Sequence, residues 1–299
     1  MLSLRYLLVP GFLLAAVLLL LANEYAVGRG SHRTRDIAYQ SASAPGFDAE
    51  RHLLDVYAPR HKAGPRPVVV FIHGGSWNSG NKNFYSFIGR RLARQGVVAV
   101  VVNYRLSPSV QVPAMAEDCA RAVQWVSQNI GSYGGDPQRI FLLGHSAGGG
   151  LAALLATDSR QFARLGLSTN PVQGVILNDA AGLDMHAYLQ KQEYPGDADY
   201  LIPYGKDPAV WKAMSPIYHV SAQAPPFLIF VGENTYPSIT SSTARFRQKL
   251  IDTGFAPQFE VLPGKKHAAM VLQLFWSRNV IYQRLLPFVG AEPKSTARK

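Results

Sequence analysis

Gly144-His145-Ser146-Ala147-Gly148 sets a serine between two glycines. It lies directly after the apolar run Ile140-Phe141-Leu142-Leu143 and directly before Gly149 and the helix-forming residues 151–156. Strand, sharp turn, helix is the setting that lifts a serine hydroxyl to the carboxyl end of a sheet and makes it a nucleophile. The glycines spare the turn side chains that would strike the neighbouring strand and helix. The helix that follows favours negative charge at its amino end. Acyl transfer at Ser146 further needs a base, an acid that orients the base, and hydrogen-bond donors for an oxyanion.

An earlier apolar run, residues 67–72, ends in His73-Gly74-Gly75-Ser76-Trp77. Bare glycine backbone can approach a substrate oxygen to hydrogen-bond distance. This stretch resembles the His-Gly-Gly loop of lipases and esterases with the α/β-hydrolase fold. Three further stretches, in order, match the hormone-sensitive-lipase branch of that superfamily: Asn103-Tyr104-Arg105-Leu106-Ser107-Pro108, Glu117-Asp118 with Val123-Gln124-Trp125-Val126, and Gly134-Gly135-Asp136-Pro137-Gln138-Arg139-Ile140. The resemblance covers roughly residues 50–290. It implies an oxyanion hole formed by the N–H groups of Gly74, Gly75 and Ala147, a structural hydrogen-bonding role for His73, and Trp77 as a wall of the substrate pocket.

The base is expected last in the chain, after the final strand. His267 has that place, following Gln258-Phe259-Glu260-Val261-Leu262 and preceding a closing helical stretch. The acid, by the same resemblance, belongs a few residues past the strand 227–231. There the chain reads Gly232-Glu233-Asn234-Thr235, and Thr235, which cannot be an anion, holds the expected position. Glu233, the nearest carboxylate, is the first-choice acid, with Asp184 and Asp179 as alternatives after the preceding strand.

The elements that must position these groups are legible as periodic runs. Residues 53–57 alternate in polarity, whereas 67–72, 97–102, 140–143, 175–177 and 227–231 are continuously apolar, as expected of strands covered on both faces. Helix-length stretches at 84–95, 114–130, 151–156, 239–253 and 268–288 separate them, with a last strand at 258–262. Alternating strands and helices predict a mostly parallel, doubly wound α/β sheet, the α/β-hydrolase fold, as one catalytic domain over 46–290. Residues 184–224, rich in Tyr, Pro and His, interrupt the alternation and are expected to form a lid.

The chain has 299 residues, 47% of them apolar and only 16% charged, which is ample for one large core. The net charge of +11 is scattered and comes with no nucleic-acid motif, so no nucleic-acid partner is expected. The single cysteine, Cys119, excludes an internal disulfide and falls in a helical stretch as a small hydrophobe. Residues 12–22 are eleven consecutive apolar residues, seventeen when counted back to Tyr6 through Gly11 and Pro10. Residues 1–22 are therefore a signal peptide or membrane anchor, and the poor small-x-small cleavage site favours the anchor. Residues 23–45 read as a linker and 291–299 as a basic tail, on a membrane-anchored or exported protein.

These residues point to a serine carboxylic-ester hydrolase that uses an acyl-enzyme, takes a small-molecule ester and requires neither metal nor cofactor. Two other hydrolase readings are an aryl-formamidase and a feruloyl or acetyl-xylan esterase. A hydrolase-like binding protein without activity is the alternative from another class.

Overall fold

The computed structural model of the chain describes residues 30–60, 64–193 and 195–291. The segment 1–22 and most of the basic tail, 291–299, lie outside these residues. No helix among the described residues is long and apolar enough to cross a membrane.

Eight strands form one sheet: β1 (Ser31–Ala38), β2 (Leu53–Pro59), β3 (Arg66–Ile72), β4 (Val98–Val102), β5 (Gly135–His145), β6 (Val172–Asn178), β7 (Phe227–Gly232) and β8 (Gln258–Leu262). Their order is β1-β2-β4-β3-β5-β6-β7-β8. β1 and β2 run antiparallel at one edge, and β4, β3, β5, β6, β7 and β8 pair in parallel. The sheet is thus α/β and mostly parallel.

Alternation along the central strands explains their unbroken apolar sequence. Val68, Val70 and Ile72 of β3 join one core with residues of helices Val112–Asn129 and Ala147–Thr157. Val69 and Phe71 join a second core, on the other face, with helices Ser86–Arg94 and Val280–Phe288. Successive side chains point to opposite faces, so a strand between two cores has no polar side. Cys119 is fully buried in the first core, where burial pushes its thiol well up; it packs as a small hydrophobe.

Two expectations are corrected, for the linker and for the closing helix. The linker assigned to 23–45 contains β1, which belongs to the sheet; as a half-exposed edge strand with Arg33, Arg35 and Asp36, it carries no apolar run to mark it. The closing helix 268–288 is broken into helix His267–Leu272, a short turn Gln273–Phe275 and helix Val280–Phe288. Asn279 starts the last piece by accepting the Tyr282 N–H at 2.9 Å. The stretch 184–224 is largely helical, with segments Met185–Lys191, Leu201–Tyr204 and Pro208–Ala213, and buries Tyr204, Trp211 and Met214.

Candidate active site

The carboxyl ends of β3, β5 and β6 lie side by side, at the edge where parallel α/β sheets hold their ligands. β5 delivers Ser146. The turn there is tight: Ser146 has φ 53° and ψ −125°, a strained backbone for a residue with a side chain. A Cβ on Gly144 would stand 2.3 Å from the Gly148 carbonyl oxygen, and one on Gly148 would stand 2.2 Å from that of Ile72. Only glycine at both places lets helix Ala147–Thr157 begin directly at Ser146.

β3 delivers His73 and the two glycines. His73 is buried, flanked by Tyr104 at 4.5 Å and Tyr85 at 5.9 Å between ring centroids. Its Nδ1–H donates to the Gly74 carbonyl at 2.8 Å, and Tyr104 donates its hydroxyl to the His73 carbonyl at 2.9 Å. These contacts hold the loop so that a Cβ on Gly74 would fall 2.8 Å from that of Ser146. Gly74 therefore borders the serine, and Gly75 continues the loop at φ 121°, where a Cβ would stand 2.3 Å from the Ser79 carbonyl oxygen. Ala147 follows it as the first residue of the helix, where backbone N–H groups have no partner within the helix.

His267 begins helix His267–Leu272 and faces the serine: its Nε2 lies 2.9 Å from Ser146 Oγ. Its Nδ1 lies 2.5 Å from Asp179 Oδ2. Asp179 is fully buried and sits one residue past β6 with φ 53°, a left-handed conformation that Asp tolerates better than most residues. Its other oxygen, Oδ1, accepts the Gly232 N–H at 2.9 Å, and Thr235 donates its hydroxyl to Oδ2. Asn178 donates to the Met270 carbonyl at 2.9 Å, which fastens the end of β6 to the helix that carries His267.

The carboxylate on the imidazole is thus Asp179 and not Glu233. Thr235 N–H closes a turn onto the Gly232 carbonyl at 3.2 Å, which leaves Glu233 exposed at the outer corner. There its Oε2 accepts the Gly264 N–H at 2.7 Å. Asp184 is also elsewhere: it accepts the Ala187 N–H at 3.1 Å as the cap of helix Met185–Lys191 and pairs with Arg245 at 3.1 Å. The contact of Thr235 with Asp179 was not foreseen; the one trace of it in the sequence was a hydroxyl residue standing where an acid was expected.

The motif around Arg105 works as scaffold. Asp118 is buried and takes hydrogen bonds from Arg105 at 2.9 and 2.7 Å and from His52 at 3.0 Å. Burial opposes its charge, but these donors outweigh that and hold the carboxyl below its ordinary value.

Trp77 is buried, with its ring edge-on to Tyr204 at 5.1 Å and to Tyr200 at 5.8 Å. With Gly182, Met185, Tyr188, Ile239 and Arg245 it lines a cavity of about 200 Å³ between the helical insertion and helix Pro237–Asp252. Ala181, also in the wall, donates its N–H to the Ser146 carbonyl at 2.9 Å, which ties that wall to the backbone of Ser146.

The family model for BD-FAE matches residues 54–250, a stretch that includes Gly74, Ser146 and Asp179 and ends before His267. Among curated proteins, the chain is 29% identical over 307 residues to an isoprenylcysteine alpha-carbonyl methylesterase of Arabidopsis thaliana, covering 96% of this chain and 67% of that one. It is 33% identical over 272 residues to Esterase LipQ of Mycobacterium tuberculosis, covering 84% and 62%. The chain spans about half to two thirds of the length of the first relatives it matches. Among solved structures, an inhibited Esterase B from Lactobacillus rhamnosis superposes with a TM-score of 0.74 at 22% identity, over 97% of this chain and 96% of that one. At that identity the likeness is one of fold.

Proposed function

The chain belongs to the BD-FAE family, and from that premise we propose that it is a serine-dependent carboxylic-ester hydrolase. One observation carries the reading: an unbroken hydrogen-bonded line from Asp179 through His267 to Ser146. The Ser146 hydroxyl attacks the ester carbonyl while His267 Nε2 takes its proton. Asp179 holds Nδ1–H, which keeps the tautomer with Nε2 free to accept and stabilises the imidazolium that forms. The N–H groups of Gly74, Gly75 and Ala147 receive the negative charge on the carbonyl oxygen. The imidazolium returns the proton to the leaving alcohol, and water then clears the acyl-enzyme by the same relay.

In this reading one arm of the ester occupies the cavity walled by Trp77, and the insertion 184–224 acts as its lid. Residues 1–22 anchor or export the domain; extraction of cell membranes at high pH separates an anchored chain, which stays in the pellet, from a released one.

Purified full-length protein in mild detergent is expected to hydrolyse short p-nitrophenyl esters and to be labelled by a fluorophosphonate. Ser146→Ala is expected to abolish both. Activity that survives this substitution would overturn the mechanism. Turnover of an N-formyl anilide with no ester cleavage would favour the amide-hydrolase alternative. A wild-type chain inert to esters, amides and the fluorophosphonate alike would leave the binding-protein alternative standing.

A further inference from the structure

We propose that Thr235 is a positioning residue of this site, aligning Asp179 for His267 through its side-chain hydroxyl. This rests on Asp179 being the acid of the triad. Oδ2 of Asp179 receives two donors at once, the Thr235 hydroxyl and the His267 Nδ1–H, and Oδ1 receives the Gly232 N–H. Gly232 and Thr235 are the two ends of one turn, closed by the bond from Thr235 N–H to the Gly232 carbonyl. That turn therefore grips both oxygens of the carboxylate and fixes its rotation about the Cβ–Cγ bond.

The grip comes from a neighbouring strand. Asp179 follows β6, the turn follows β7, and the Asp179 N–H donates to the Phe230 carbonyl at 2.8 Å across the ladder. The turn is itself tied to the chain that leads into His267. Glu233 N–H donates to the Leu262 carbonyl at 3.1 Å, Asn234 N–H donates to the Lys265 carbonyl at 2.9 Å, and the Glu233 carboxylate accepts from Gly264. One rigid unit thus sets both the acid and the approach of the base. Within the turn Gly232–Thr235, the Thr235 hydroxyl is the side-chain hydrogen bond to the acid.

A hydroxyl that merely satisfied a buried carboxylate would affect stability, whereas one that aligns the acid must affect turnover. By analogy with the outer partners that orient metal-bound histidines, whose loss costs about tenfold or more, a similar factor is expected here. In the full-length protein, Thr235→Val is expected to lower kcat on p-nitrophenyl butyrate by about tenfold, with KM unchanged within about twofold. Thr235→Ser, which keeps the hydroxyl, is expected to restore kcat. The far-downfield proton resonance of the His267 Nδ1–H is expected to move in the valine variant and return in the serine variant.

Asp179→Asn separates the two levels of the argument. Wild-type kcat in Thr235→Val, with an unmoved imidazole resonance and an inactive Asp179→Asn, overturns the role of Thr235 and leaves the triad intact. Wild-type activity in Asp179→Asn overturns the triad assignment itself. If Thr235→Val does not fold, Thr235→Ala takes its place, and equal kcat in the alanine and serine variants overturns the proposal.

Discussion

His145 lies against His267 with ring centroids 4.9 Å apart and 27° between the planes, and its Nε2–H donates to the His267 carbonyl at 3.3 Å. A histidine inside the Ser146 turn thus supports both the ring and the backbone of His267. Its Nδ1 is buried without a partner among the described residues, so the ring is held in one neutral tautomer.

That neutrality has a pH signature. Burial pushes both His145 and His73 from 6.5 down to about 4. An unfolded chain binds a proton at each below pH 6.5, whereas the folded one binds it only near pH 4. The unfolded state therefore carries more protons between these values, and stability is lost as pH falls through that window. The loss is on the order of 3 kcal/mol for each histidine. Urea midpoints measured from pH 7 down to 4.5 are expected to drop steeply, and His145→Phe to flatten the slope. A midpoint constant over this range would refute the argument.

Single substitutions of the three candidate acids should separate by magnitude. Asp179→Asn removes the group that fixes the His267 tautomer and is expected to lower kcat by about four orders of magnitude, by analogy with other serine triads. Glu233→Gln removes an exposed charge but keeps an oxygen that can accept the Gly264 N–H, and is expected to keep kcat within about threefold. Asp184→Asn removes the charge paired with Arg245 but keeps an oxygen that can cap the helix, which should reduce thermal stability by no more than about 1 kcal/mol and leave chemistry at Ser146 largely intact. Steady-state kinetics and melting curves on the three variants check the order.

The side chain at 235 already touches the Asp179 oxygen that contacts His267, so a carboxylate placed there would come within reach of Nδ1. Asp179→Ala combined with Thr235→Asp is therefore expected to recover at least about tenfold of the kcat lost in Asp179→Ala alone. Equal activity of the single and double variants would show that the turn after β7 cannot present an acid.

The cavity beside Trp77 should limit the length of one ester arm. Ile239 lines it, and Ile239→Trp would narrow the roughly 200 Å³ cavity with a larger ring. A loss of about tenfold in kcat/KM is expected for p-nitrophenyl hexanoate or for a long-chain alkyl acetate, whichever arm enters, with p-nitrophenyl acetate little affected. An unchanged profile in both series would remove the cavity from the substrate path.

Ser146, the His73-Gly74-Gly75 loop and the central strands were legible because their signals are local. A nucleophile turn needs glycines within two residues of the serine, and a doubly covered strand is apolar along its whole length. His267 was legible because it follows the last strand of the series. The edge strand β1 was not, since pairing on one side and partial exposure demand no apolar pattern.

The acid was decided by tertiary structure alone. Asp179, Asp184 and Glu233 are each a carboxylate shortly after a strand, and the neighbours in sequence favour Glu233; nothing in them singles out Asp179. What selects Asp179 is a contact with a residue 88 positions away, made possible by a left-handed turn after β6 and by the bonds that dock the His267 helix on that strand. Orientation of a carboxylate toward one ring nitrogen depends on the register of neighbouring strands and the course of two turns. These are properties of the packed sheet, and no short stretch of chain carries them.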